Sequence, residues 1–366
     1  MSWISGIIIF GVLIAIHELG HFLACRLTKV KVEKFSIGFG PSLIKFKKGE
    51  TLYTIGALPL GGFVKPAGEQ ISEVEGGELR PGDYLAAPVS SRIFIVCAGV
   101  IMNYLLAFVL FVAFFALPHQ VPANVMGEIQ KDSPAMAAGL LKGDRVVAID
   151  GQAVKIFSDI KEKIVASNRP LTFQVERKEA SGNLTKHDLV VTPQVIERRD
   201  VFGKLTTDRV VGFMPDQTVA VREQYSFGEA IVKAAIFEWN YTVLSHKAIF
   251  YLATGQMSPK NLSGPIGIVK MSGDAAKQGI AALIFLAGIL STALAVFNLL
   301  PFPALDGGHL VFLLIEAITK KPVSLKIQER AATAGFILLM GLMVVVFYND
   351  LANLSVFEKV KNMFSR

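Results

Sequence analysis

Three ionisable side chains stand within five positions of one apolar stretch near the N-terminus. The motif HELGH, residues 17–21, lies inside a stretch that runs from about Trp3 to Leu27. On a helix, residues four positions apart share one face, so both imidazoles can bind one zinc ion. Glu18 is then placed to take a proton from zinc-bound water, whose pKa the metal lowers to about 7. The spacing therefore predicts His17 and His21 as zinc ligands and Glu18 as the general base of a hydrolase.

The apolar surroundings of the motif argue against a simpler interpretation, in which these are polar residues at a helix end. Each ionisable residue inside a bilayer costs roughly 2.5–3.5 kcal/mol on insertion scales. Three such residues within five positions need compensation, and a bound cation supplies it.

Two histidines leave a catalytic zinc short of one protein ligand. The candidate third ligand is Asp306, which follows Asn298 at the end of a later apolar stretch. Those two stretches, the first and the third, cross the membrane in the same direction, so Asp306 and the two histidines are expected at similar depth. In the alternative interpretation, Asp306 is an interfacial turn residue before Gly307 and Gly308.

Composition shows which elements must position these residues. The chain has 366 residues, of which 52% are hydrophobic and 18% charged, whereas soluble domains contain about one quarter charged residues. A membrane-spanning helix needs about 20 apolar residues. Four stretches are long enough: Trp3–Leu27, Arg92–Leu117, Ile280–Leu300 and Ala331–Tyr348. We therefore predict an α-helical integral membrane protein with four transmembrane helices.

The remaining segments divide the chain into four predicted parts. Residues 1–117 contain the first two spans and, between them, alternating apolar residues that predict a membrane-associated β-hairpin element. Residues 118–221 mix charges with short β-branched runs and predict an inserted extracytoplasmic α+β domain. Residues 222–279 contain an amphipathic helix and a glycine-rich loop at 263–267. Residues 280–366 contain the last two spans.

Lysine and arginine predict the orientation of the spans. They cluster after span one and after span three, and the positive-inside rule places both segments in the cytoplasm. Both termini and the 118–221 domain then lie outside. In such a protein the formal charge of +7 indicates contact with anionic headgroups and not with nucleic acid.

The middle domain carries a recognisable pattern. Ser133–Leu140, followed by Gly143–Gly151, resembles the PDZ pattern of membrane and periplasmic proteases. Such a domain could bind a peptide by strand addition. It could instead exclude substrates with bulky outer domains, and both interpretations stay open.

Taken together, the motifs resemble the site-2 protease family of intramembrane zinc metalloproteases, in particular its bacterial RseP-type branch. The likeness rests on HELGH in the first span and NLLPFPALDGG at the end of a late one. The stretch PLGGFVKPAGE, the segment 99–103 and the SGPIGI loop extend it over nearly the whole chain. RseP-type enzymes carry two PDZ domains, whereas this sequence shows one.

The resemblance implies an intramembrane endopeptidase of the bacterial inner membrane. It implies that Zn²⁺ is bound by His17, His21 and Asp306, and that Glu18 is the catalytic base. It implies transmembrane protein substrates, such as anti-sigma factors or remnant signal peptides. Substrate-binding roles follow for Asn298 and for the β-element residues Gly61 and Gly62. The oligomeric state stays open.

Two other classes of function fit the sequence less well. A transporter or channel would spread ionisable residues over several spans, whereas here they concentrate in HELGH and Asp306. An inert scaffold of the same family would not need these residues intact. Among the other histidines, His119, His187 and His246 are predicted at the surface or the membrane interface. His309 is a candidate to tune the site.

Overall fold

The computed structural model describes residues 2–69, 78–179, 181–199, 205–258 and 263–353. The chain divides into two compact units, one formed by 1–116 with 226–366 and the other by 117–225. The predicted C-terminal part reaches residue 366, and its residues 354–366 lie outside the described ranges. The helices are α1 Ser2–Leu27, α2 Val89–Ala116, α3 Pro134–Ala137, α4 Phe157–Ala166, α5 Phe227–Ala253, α6 Pro265–Gln278, α7 Ile280–Asn298, α8 Asp306–Thr319 and α9 Leu325–Asn353.

Within the described residues, four helices are long and apolar enough to cross a bilayer. The candidate spans are Ser5–Leu27, Val89–Ala116, Ile280–Asn298 and Leu325–Ala352. The prediction of four spans is confirmed. The fourth begins six residues before its predicted start at Ala331, because the charged turn that contains Lys326 and Arg330 is itself helical.

The first unit is organised around α2, which packs against α1, α5, α7 and α8. Small residues allow the close approaches, as is common between membrane helices. A Cβ on Gly20 of α1 would lie 2.4 Å from the Ala98 carbonyl oxygen, and one on Gly288 of α7 would lie 2.7 Å from the Phe111 ring. Phe111 is fully buried there, beside Phe237 and Phe285.

The glycine-rich loop predicted at 263–267 is shorter than expected. Pro265 opens α6, as proline often does at a first helical position. The Asp350 carboxylate of α9 accepts hydrogen bonds of 3.0 Å from the backbone N–H groups of Gly264, Ile266 and Gly267. A buried carboxylate therefore caps the helix, and this contact ties α9 to α6.

Two long strands between α1 and α2 form the predicted β-hairpin element. They are β1 Val32–Lys48 and β2 Thr51–Pro66. Their register places residues 34–37 opposite both 52–55 and 62–65. The second half of β2 therefore runs along the outer side of the sheet, where it contacts α1.

The second unit is an α+β structure. Its four-stranded antiparallel sheet has the order β6-β5-β7-β8, and the core beneath it contains the fully buried Phe173, Val146 and Ile160. Its PDZ identity stays a prediction. The strands are β3 His119–Pro122, β4 Met126–Ile129, β5 Arg145–Ile149, β6 Gln152–Ala153, β7 Leu171–Lys178, β8 Leu184–Val191, β9 Gln194–Arg199, β10 Leu205–Val210, β11 Phe213–Pro215 and β12 Ala220–Glu223.

Of the two positions predicted for His119, the protein surface or the membrane interface, the first is wrong. Its side chain is buried within the second unit. Its Nδ1 lies 2.9 Å from the Leu117 carbonyl oxygen, and its Nε2 lies 3.8 Å from Glu223. Pairing of β3 with β12 brings the carboxylate opposite the ring, a contact between residues about 100 positions apart that sequence spacing does not reveal.

Candidate metal centre

Three side chains from two helices converge at one point in the first unit. His17 Nε2 lies 3.2 Å from His21 Nε2, and Asp306 Oδ2 lies 3.1 Å and 3.5 Å from these two nitrogens. The histidines stand one turn apart on α1, and Asp306 is the first residue of α8. The structure thus brings together the three residues that the sequence predicts as ligands.

Helix α2 forms the wall behind both imidazole rings. His21 Nδ1 lies 2.8 Å from the Ile95 carbonyl oxygen, and His17 Nδ1 lies 3.2 Å from Asn103 Nδ2. Between them, a Cβ on Gly99 would lie 2.4 Å from His21 Nε2, so only glycine leaves room for the rings. Residues 95, 99 and 103 stand on one face of α2, at a spacing of four.

The geometry of the cluster fits a tetrahedral cation. Zinc bonds of about 2.0–2.2 Å to nitrogen and oxygen set neighbouring ligand atoms about 3.3–3.6 Å apart, close to the three separations observed. His21 Nδ1 donates to a carbonyl, so in the neutral ring Nε2 presents a lone pair to the cluster. Asp306 Oδ2 is buried and, despite the nearby imidazoles, makes no hydrogen bond of regular geometry to the described residues. Converging lone pairs repel one another unless a cation lies between them.

The sequence after α7 places the carboxylate. A Cβ on Gly307 would lie 2.1 Å from the Leu300 carbonyl oxygen, and one on Gly308 would lie 2.3 Å from that of Phe302. The two glycines therefore allow α8 to begin directly against the preceding turn, with Asp306 pointing at the histidines. Burial alone would raise the pKa of the Asp306 carboxyl, but the adjacent imidazoles hold it below its usual range.

Glu18 lies beside the cluster and against the β-element. The Val64 backbone N–H lies close to its carboxylate. A Cβ on Gly62 would lie 3.0 Å from Glu18 Cγ and 2.8 Å from the Ser36 carbonyl oxygen. Residues 62–65 of β2, the outer row of this strand, therefore pass directly over the predicted general base.

The other two predicted substrate residues, Gly61 and Asn298, lie on β2 and α7. Gly61 has a φ of +119°, a conformation open to glycine, and its Cα faces the Phe39 ring. Asn298 is the last residue of α7 and is partly buried. Neither residue is among those found to line the cavity beside the metal centre.

That cavity has a volume of about 750 Å³ and is lined by Glu18, both histidines, Asp306 and His309. Its wall also contains an ion pair that bridges α2 and α8. Arg92 donates to Glu316 at 2.6 Å and 3.1 Å, and both side chains are largely buried.

Sequence reasoning missed part of this arrangement. The Asn103 amide contacts the ring of His17. Glu316 pairs with Arg92. A usable signal was present in both cases, because Gly99 and Asn103 are four residues apart on an apolar helix. Arg92 and Glu316 are opposite charges in otherwise apolar segments.

The fold and the site together define a class of protein. It is a multi-pass membrane protein whose first span carries an HExxH motif, with an aspartate from a second helix beside the two histidines. The family model for peptidase family M50 matches residues 5–342, and the chain belongs to this family. It is an intramembrane zinc metalloprotease.

Curated relatives match this chain over nearly their full length. The zinc metalloprotease RasP of Geobacillus kaustophilus is 32% identical, with 96% of this chain and 97% of the relative covered. Two relatives carry provisional names as zinc metalloproteases. Atu1380 of Agrobacterium fabrum is 35% identical, with 95% of each chain covered. CPE1693 of Clostridium perfringens is 34% identical, with 96% of this chain and 98% of the relative covered.

Proposed function

We propose that the protein hydrolyses peptide bonds within transmembrane segments of other proteins, with Glu18 as general base and with His17, His21 and Asp306 as zinc ligands. One observation carries the proposal: His17, Glu18 and His21 belong to α1, a helix apolar enough to cross a bilayer, and Asp306 of α8 lies against them. A reaction centre on such a helix meets substrates that are themselves in the membrane.

The chemistry is divided between the metal and the chain. Bound zinc would supply a Lewis acid that lowers the pKa of a coordinated water to about 7. Glu18 takes the proton of the attacking water and passes it to the leaving amide nitrogen. The Val64 backbone N–H lies beside the carboxylate and can orient it for both transfers.

Substrate binding follows from the needs of the peptide bond. A helical substrate must unwind before hydrolysis, and its freed backbone groups need partners inside the membrane. The outer row of β2 can supply them by strand addition. Gly62 keeps that row close to Glu18, and Gly61 shapes the strand next to it. Asn298 is assigned to hold the substrate backbone through its amide.

The remaining assignments concern location and selection. The loops rich in lysine and arginine face the cytoplasm of a bacterial inner membrane, and both termini lie outside. The second unit is assigned as an extracytoplasmic PDZ-like domain that screens the outer part of each substrate. Substrates of this type include anti-sigma factors and remnant signal peptides.

The test compares wild type with Glu18→Gln on a membrane-embedded test substrate reconstituted in liposomes. Wild type is expected to release two fragments, whereas the variant should bind zinc normally and release none. Glu128→Gln, an exposed position of β4, is the matched control and should cleave as wild type does. Cleavage by Glu18→Gln at the wild-type rate would show that Glu18 is not the general base.

A second arm tests the ligands by metal analysis. The double variant His17→Ala, His21→Ala is expected to lose the zinc that wild type holds after purification. An unchanged zinc content would reject the site.

A further inference from the structure

We propose that His309 is a catalytic residue that donates a hydrogen bond to the carbonyl oxygen of the scissile peptide bond. The inference rests on the proposed function, because it requires a peptide bound beside Glu18.

The position of His309 follows from the helix that carries the metal ligand. It stands three residues after Asp306 on α8, so both side chains share one face of the helix. It lines the same cavity as Glu18 and His21. An imidazole at this place faces the space that a peptide bond under attack must occupy.

His309 differs from the other histidines in what it touches. His17 and His21 contact α2 and one another. His119, His187 and His246 lie within 2.9 Å of a backbone or hydroxyl oxygen. His309 is exposed to the cavity, and we find no hydrogen bond or ion pair for it within the described residues. Its ring nitrogens are therefore available to a ligand.

The other basic side chains of the cavity wall are already engaged. Arg92 donates through Nε to the Ala87 carbonyl oxygen and through both terminal nitrogens to Glu316. The two histidines of α1 direct Nε2 to the metal centre. Of the four basic side chains in the described lining, His309 is the one for which we find no hydrogen-bond or ion-pair partner.

The electrostatic environment suits a neutral donor. Desolvation by the cavity wall lowers the pKa of His309 below its usual range, although the Asp306 carboxylate opposes this effect. The ring is then uncharged at neutral pH and carries one N–H. A neutral imidazole can stabilise a developing negative charge without repelling the cation that the cluster binds.

The proposed role fits a balanced reaction. Water forms a bond to the carbonyl carbon, its proton passes to Glu18, and the carbonyl oxygen becomes negatively charged. His309 N–H donates to this oxygen. When the C–N bond breaks, the carbonyl re-forms and the proton passes from Glu18 to the nitrogen. Removal of one such donor typically lowers kcat about 10²–10³-fold.

The experiment measures cleavage of a membrane-embedded test substrate by wild type, His309→Ala and His309→Gln. We expect His309→Ala to lower kcat about 100-fold, with KM within about threefold of wild type, as expected for an interaction made in the transition state. His309→Gln keeps an N–H donor and should recover part of this loss. The control is His246→Gln on α5, where activity should not change.

Two further measurements separate a catalytic role from a structural one. Zinc content and the thermal midpoint should be the same in His309→Ala and wild type, because the side chain has no hydrogen-bond or ion-pair partner to lose among the described residues. A phosphinic analogue of the cleaved segment mimics the tetrahedral state and should bind His309→Ala more weakly. The matching uncleaved peptide amide should bind both proteins equally.

The outcomes distinguish this inference from the proposed function. If wild type cleaves, Glu18→Gln does not, and His309→Ala cleaves as fast as wild type, the role of His309 is overturned while the protease assignment stands. If His309→Ala loses zinc together with activity, the residue supports the metal and not the substrate, which also overturns the inference. If wild type itself does not cleave membrane segments, the proposed function fails first.

Discussion

Asn103 of α2 lies 3.2 Å from His17 of α1, on the side of the imidazole that faces away from Asp306. Its side chain is completely buried, and its Oδ1 has no hydrogen-bond partner among the described residues. A half-turn of the carboxamide exchanges Oδ1 and Nδ2, so the amide can serve either tautomer of the ring. When Nε2 binds a metal, Nδ1 carries the proton, and Oδ1 of Asn103 accepts a hydrogen bond from this Nδ1–H group.

Asn103→Leu should therefore weaken zinc binding. Loss of an outer partner of a ligating histidine typically lowers metal affinity 10–100-fold, and we expect a reduction in that range. Competition with a zinc-chelating dye in detergent measures it. Ser291→Ala is the matched control, since Ser291 hydroxyl donates only to the backbone oxygen of Asn103 at 2.8 Å. Wild-type affinity in Asn103→Leu would show that the amide does not orient the ring.

Gly99→Ala should abolish both zinc binding and activity. The added methyl group would lie 2.4 Å from His21 Nε2 and 2.7 Å from His17 Cε1, so the rings must move out of the cluster. Metal analysis and cleavage of a membrane-embedded substrate provide the readouts. Gly341→Ala on α9 is the control, because a Cβ there meets nothing within 4 Å. Retention of one zinc per chain by Gly99→Ala would show that the two imidazole rings do not need the space beside Gly99.

Arg92 and Glu316 should behave as a coupled pair. The pair joins α2 to α8, the helix that begins with Asp306. Removal of one partner leaves a buried charge unpaired, which costs about 3–5 kcal/mol. We expect Arg92→Met or Glu316→Met alone to lower both the thermal midpoint and zinc affinity.

The double variant Arg92→Met, Glu316→Met leaves no charge unpaired and should recover much of that loss. A double-mutant cycle on the thermal midpoint measures the coupling. Strictly additive effects of the two substitutions would indicate that the ion pair does not hold α8 in place.

Much of the architecture was predictable because each membrane-spanning helix is encoded by one contiguous run of apolar residues. A run such as Ile280–Asn298 must form a helix in a bilayer, since no water is available for its backbone groups. The HELGH spacing likewise fixes two ligands on one helix face. Asp306 could be predicted as the third because it closely follows a span that is expected to cross in the same direction as the first.

The parts that escaped prediction depend on contacts between distant segments. Asn103 meets His17 across 86 positions, and Arg92 meets Glu316 across 224. No local pattern encodes either pairing. The same holds for the α6 cap, where the Asp350 side chain reaches back to Gly264. Helix packing determines these contacts, and one sequence shows only that such residues need partners.

Glu238 should make stability depend on pH. It lies on α5, where burial raises its pKa to about 7, and its buried Oε1 has no hydrogen-bond partner in the described part of the chain. The ordinary pKa of a glutamate is about 4.3, so between these values the folded protein binds more protons than the unfolded one. The contribution of Glu238 to stability is therefore most favourable below about pH 4.3 and falls as the pH rises towards 7.

Glu238→Gln removes this titration and should raise the thermal midpoint over wild type, by more at pH 8 than at pH 5. Melting curves of purified protein in detergent at both pH values measure the difference. Glu229→Gln provides the contrast. Hydrogen bonds from Ser226 hold the pKa of Glu229 below its usual range, so its contribution is lost only at more acidic pH and its effect should be constant between pH 5 and 8. An equally constant difference for Glu238→Gln would mean that its carboxyl titrates as an ordinary exposed group.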